Sequence, residues 1–126
     1  MKPSLIIRLA AITGFLGVAL GAFGAHGLDA TLVANERVDT WKTAVLYHLV
    51  HAVVLLVVGV FPKASRVAAP SFLIGVVLFS GSLYVLSLTN EIWLGAVTPF
   101  GGVAFLVGWA ALAFGRAPVA DRRAPD

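Results

Sequence analysis

Polar residues divide this chain into four apolar blocks: Leu5 to Leu28, Trp41 to Phe61, Ser71 to Leu88 and Pro99 to Gly115. The shortest, residues 99–115, still reaches the ~17 residues needed to cross a hydrocarbon core ~30 Å thick. Such a short block must stand nearly upright or borrow flanking residues. The pattern predicts an all-α integral membrane four-helix bundle with spans at about 5–28, 41–61, 71–88 and 99–115. Residues 1–115 would form that domain and 116–126 a disordered tail.

The second block carries the unusual feature. His48 and His51 sit inside an apolar run, ~10 and ~15 Å beyond Trp41 at 1.5 Å per residue. Trp41, Ala44, His48, His51 and Leu55 recur at steps of three and four, so they share one helix face. Ionisable residues in hydrocarbon face a protein interior or a wet cavity, so this face must look at another span or at a partner. In the third block Ser80, Tyr84 and Ser87 form a stripe, with Ser82 beside them. Depth-matching these groups predicts a polar pocket of His26, Trp41, Tyr47, His48, His51, Ser80, Ser82 and Tyr84, opening outward. Each imidazole is expected to donate from one nitrogen and accept at the other, with Tyr84 or Ser80 as partners.

Small residues form two further stripes. Gly14, Gly17, Gly21 and Gly24 line the first block, and Gly101, Ala104, Gly108, Ala111 and Gly115 line the fourth. Glycine in a membrane helix lets a neighbouring backbone approach closely. Two matching stripes suggest that the first and last spans pack on each other and close the bundle. The rival reading uses one stripe for self-association.

Composition agrees with a lipid environment. The chain has 126 residues, 60% hydrophobic and 12% charged, with a mean hydropathy of +0.96. Soluble domains average ~25% charged residues. The net charge of +3 reads as orientation rather than nucleic-acid binding. Lys2, Arg8, Lys63, Arg66, Arg116, Arg122 and Arg123 fall at the termini and second loop; Arg37 and Lys42 fall on the other side. Basic loops stay cytoplasmic, so both termini are expected there. The first block resembles a secretory signal, but Arg8 lies within it and the apolar run is long; a retained helix is expected. Asp39 or Thr40 is expected to cap the second helix, Pro70 and Thr98–Pro99 to open the third and fourth, and Trp41, Trp93 and Trp109 to sit at the interfaces.

Candidate chemistry is sparse. With no cysteine, thiolate catalysis and cysteine-held metals are excluded. His48 and His51 at i, i+3, with His26, form a weak set for a metal or haem, because no embedded carboxylate completes it. Histidine can relay protons, but no catalytic set is present and no cofactor is expected.

Four ordered stretches carry a resemblance: GAFGAHGL at 21–28, WKTAVLYHLVHA at 41–52, LFSGSLYVLSLT at 78–89, and TPFGG at 98–102 with GWAALA at 108–113. The chain resembles the small membrane family called domain of unknown function 423, related to vertebrate transmembrane protein 256. The resemblance implies a four-span protein of unassigned activity, with His26, Trp41, Tyr47, His48, His51, Ser80, Gly81, Ser82, Tyr84, Thr98, Pro99, Gly101 and Gly102 at motif positions. The expected role is a non-enzymatic accessory or scaffolding subunit in the bacterial inner membrane, with the bilayer and a membrane-protein partner or second copy as its contacts. The alternative is transport or sensing of a small polar solute or proton through the pocket.

Overall fold

The computed structural model describes residues 1–61 and 66–115. Pro62, expected to end the second helix, and the tail at 116–126 lie outside the described residues.

Apolar helices pair the backbone groups of their interiors within the segment, as hydrocarbon demands. Four are long and apolar enough to cross a membrane: Pro3–Ala25, Val38–Val60, Ala68–Thr89 and Ile92–Phe114. The fold is all-helical, and no strand occurs among the described residues. The first helix stops three residues before Leu28, where the chain turns and enters a short helix, Asp29–Ala34. Leu32 pins that helix in place, 1% exposed.

Local expectations need correcting at several ends. Arg37, not Asp39 or Thr40, stands at the N-cap of the second span, and no side chain caps it. Glu36, at φ 58°, makes the preceding turn, so the helix begins before either oxygen reaches the cap position. Pro70 lies in the first turn of the third span rather than opening it. Its missing N–H there falls among the four that a helix start leaves free anyway. The short fourth block does extend itself: a 3₁₀ turn over Ile92–Ala96 precedes the helix Thr98–Phe114. The third span contains a π turn at Val76–Ser80, which nothing in the local sequence announced.

The packing of the small-residue stripes also differs from expectation. The first span lies on the second: Cβ atoms added at Gly14, Gly17 and Gly21 would meet Ala52, Leu49 and Val45, and one at Gly24 would overlap the Trp41 indole. The fourth lies on the third, where Gly101 takes the Phe79 backbone against it and Gly108 takes the Phe72 ring. Both stripes therefore serve neighbours in sequence, not each other. The physical reason is shape, because the tight glycine gaps at Gly17, Gly24, Gly101 and Gly108 receive a large side chain or backbone that a second glycine stripe could not supply. Ala104 and Ala111 are half-buried and Gly115 is exposed just past the helix end. The second and third spans form the inner pair, flanked by the first and fourth. The apolar core, including Ile6, Ala10, Leu55, Val58, Phe72 and Phe105, gathers toward the end that holds the N-terminus.

Candidate functional site

The second span presents Trp41, Ala44, His48, His51, Leu55 and Val58 on its buried face. Its two histidines nevertheless look at different neighbours. His48 Nε2 lies 2.8 Å from the Thr13 carbonyl of the first span, and His48 Nδ1 lies 2.9 Å from the Tyr84 hydroxyl of the third. A carbonyl only accepts, so Nε2 carries the proton there. In a neutral ring Nδ1 then accepts from Tyr84. Thr13 closes its own hydroxyl on the Leu9 carbonyl at 2.7 Å. Tyr84 also packs on the Trp41 ring, centroids 4.7 Å apart, and Trp41 Nε1 donates to the Leu20 carbonyl at 3.0 Å.

His51 has the opposite tautomer. Its Nδ1 donates to the Tyr47 carbonyl one turn back at 2.7 Å, and its Nε2 accepts from Trp109 Nε1 at 3.2 Å. An indole N–H can only donate, so Nε2 is unprotonated in this arrangement. The ring stacks flat on Phe105, centroids 3.7 Å apart and 10° from parallel. Phe72 stands at 5.5 Å from it, and Tyr47 packs on Phe79 at 4.5 Å. Glycines seat these rings: a Cβ at Gly75 would overlap Phe105, one at Gly108 would come within 2.6 Å of Phe72.

The serines form separate ties. Ser80, fully buried at the end of the π turn, donates to the Ala44 carbonyl of the second span at 2.7 Å. Ser82 meets Thr98 of the fourth span at 2.7 Å. Ser87 closes on the Leu83 carbonyl, while Asn35 donates to the Ser87 carbonyl at 3.0 Å and fastens the short helix to the end of the third span. Arg37 Nε donates to Asn90 Oδ1 at 2.9 Å across the same end.

The residues expected in one pocket are therefore distributed. His48, Tyr84 and Trp41 come together between the first three spans. His51 and Tyr47 belong to an aromatic cluster against the fourth. Ser80 and Ser82 bridge elsewhere, and His26 is exposed at the end of the first span. The partners expected for His51, Tyr84 or Ser80, are replaced by Trp109 and the Tyr47 carbonyl. Among the described residues no group of three His, Asp or Glu side chains could hold a metal ion, and no buried side-chain nitrogen or oxygen lacks a hydrogen-bond partner. Trp41 is buried, 3% exposed. Sequence reasoning missed Thr13, Thr98, Trp109 and the Phe72–Phe79–Phe105 rings. The indole of Trp109 was the available signal, since a Trp N–H set within a bundle seeks an acceptor.

Four apolar helices joined by interhelical polar bonds define a multi-pass helical membrane protein. The chain belongs to the family described as "Protein of unknown function (DUF423)", whose model matches residues 20–102. It is 46% identical to the UPF0382 membrane protein YwdK of Bacillus subtilis, over 82% of this chain and 88% of that one. It is 41% identical to the UPF0382 membrane protein of Haemophilus influenzae, over 86% and 90%. A UPF0382 membrane protein of Schizosaccharomyces pombe is 37% identical, over 85% and 97%. No solved structure matches.

Proposed function

We propose that the chain is a non-enzymatic accessory subunit of a membrane assembly, resident in the bacterial inner membrane with both termini cytoplasmic. The observation that carries this reading is the saturation of the polar groups: His48, His51, Ser80, Ser82, Tyr84 and Trp109 all have hydrogen-bond partners inside the bundle, most of them on neighbouring spans. Groups bound in this way fix register and hold helices together, and they leave little polar capacity for a reaction. The basic bias of the termini and second loop supports the orientation. Purification from native membranes in mild detergent tests it. A second component should travel in fixed ratio; a monodisperse monomer with no companion would sink the proposal.

A second reading, transport or sensing of a small polar solute or proton, is favoured by one observation. The His48–Tyr84 pair borders a groove of about 310 Å³ beside the π turn, between the first and third spans. π turns recur at functional sites. Liposome flux in wild type and in His48→Ala and His51→Ala chains separates the two: equal flux in all three, at the protein-free rate, removes transport.

A further inference from the structure

Tyr47 is the exception to the saturation just described. It lies in the Val38–Val60 helix, ~9 Å along the span beyond Trp41. In hydrocarbon a hydroxyl without a partner is costly. Thr13, His48, His51, Ser80, Ser82, Tyr84 and Trp109 all have partners. The Tyr47 hydroxyl has none among the described residues, and its side chain is 41% exposed. It lines a groove of about 440 Å³ between the second and fourth spans, walled by Phe79, Phe105 and Trp109, with His51 and Gly102 beside them. That volume falls within the ~300–1,000 Å³ of small-molecule sites, which pair apolar and aromatic walls with a few placed polar groups.

We propose that this groove binds a membrane-soluble, flat ring carrying a carbonyl, of the quinone class, with the Tyr47 hydroxyl donating to that carbonyl. Three features select this chemistry. The walls are largely aromatic side chains, which favour a planar ring by offset or edge contact. The free polar group among the described lining residues is a phenol, which can donate to a carbonyl acceptor on the ligand. Among the described residues no charged side chain borders the groove, so an ionic head group finds no counter-charge there. Gly102 keeps the space open: a Cβ there would meet only the Phe79 ring edge at 3.9 Å, so a longer side chain fits the fold while entering the groove.

The test uses the full chain in nanodiscs, titrated with 2-methyl-1,4-naphthoquinone and, separately, with 2-methylnaphthalene, which lacks the carbonyls. Quenching of tryptophan fluorescence and a calorimetric titration report binding. The quinone should bind saturably and more tightly than the hydrocarbon. Tyr47→Phe should weaken it roughly three- to tenfold, the loss of one hydrogen bond, and leave the hydrocarbon unchanged. Gly102→Leu should abolish both. Because the Tyr47 hydroxyl bonds nothing among the described residues, the Tyr47→Phe chain should melt with wild type, so the result stands even if Gly102→Leu fails to fold. No saturable binding, or quinone binding unmoved by Tyr47→Phe, overturns the proposal. So does a disulfide-linked dimer through Leu106→Cys in a chain that binds no quinone, which would assign the groove to a second copy.

Discussion

Replacing His51 by leucine removes an acceptor that only Trp109 uses. The Tyr47 carbonyl keeps its own helical N–H partner, so the orphan created is the Trp109 indole N–H, 3.2 Å from the lost nitrogen. Leaving such a donor unpaired costs ~1–3 kcal/mol, and losing the flat contact with Phe105 adds ~0.5–1.5 kcal/mol. The single substitution should therefore destabilise the bundle by about 2–4 kcal/mol. Trp109→Phe leaves the His51 nitrogen without its donor and should cost ~1–3 kcal/mol. With both changed no orphan remains, so the double variant should be more stable than the sum of the singles by ~0.6–1.7 kcal/mol, from the average to the largest value measured for interhelical polar pairs in a membrane protein. Reversible unfolding in bicelles, followed by steric trapping, measures all three. Additive costs would refute the pairing. An independent reading comes from nitrogen NMR of labelled histidine, which should find the His51 proton on Nδ1 and the His48 proton on Nε2. Two rings in the same tautomer, or two charged rings, would refute the network.

The glycines give a graded prediction. Gly14→Ala meets only Ala52 at 3.9 Å and should be neutral or stabilise by up to ~1 kcal/mol through helix propensity, whereas Gly101→Ala collides with Phe79 backbone and should cost ~1–3 kcal/mol; melts in detergent compare the two. Tyr84→Phe removes the partner of His48 Nδ1 and should cost ~1–3 kcal/mol, again by melting, with no loss if a lipid-facing group replaces it. For orientation, cysteines introduced at Ser65 and Ala120 should resist an impermeant thiol reagent in intact cells while one at Ala34 reacts. Labelling at Ala120 from outside would reverse the topology, and labelling of Ala34 and Ser65 on one side would break the span count.

Apolar run length made the four spans legible, and the three-four spacing of Trp41, Ala44, His48, His51 and Leu55 marked a face that the fold does bury. Partner choice was not legible. A glycine stripe says that something approaches closely, but not what: Gly24 receives an indole and Gly101 a backbone, and neither identity is written in the stripe itself. Depth-matching placed His48 and His51 together because it ignores direction around the helix axis. Three residues rotate a side chain by ~300°, so the two rings point ~60° apart, enough to send one toward the first and third spans and the other toward the fourth. Trp109 was assigned to the interface because its amphipathic ring suits headgroups and interhelical bonding equally. The π turn at Val76–Ser80 leaves no local signature, since it answers to packing.

The sequence-neighbour packing of the glycine stripes has a consequence for how the molecule is made. Spans one and two form one antiparallel hairpin, three and four another, and each is closed by contacts local in the chain. Local contacts form first because little loop entropy opposes them. The first hairpin can thus be complete in the bilayer while the second is still being synthesised. What joins the halves is the shared apolar core of Ile6, Leu55, Val58, Phe72 and Phe105 together with polar bonds: His48 to Tyr84, Ser80 to the Ala44 carbonyl, and Trp109 to His51. Those bonds reward docking only when both halves are present and in register. Assembly is then a late, proofread event. A chain interrupted between residues 61 and 66 would still hold the information for both hairpins and for the fit between them.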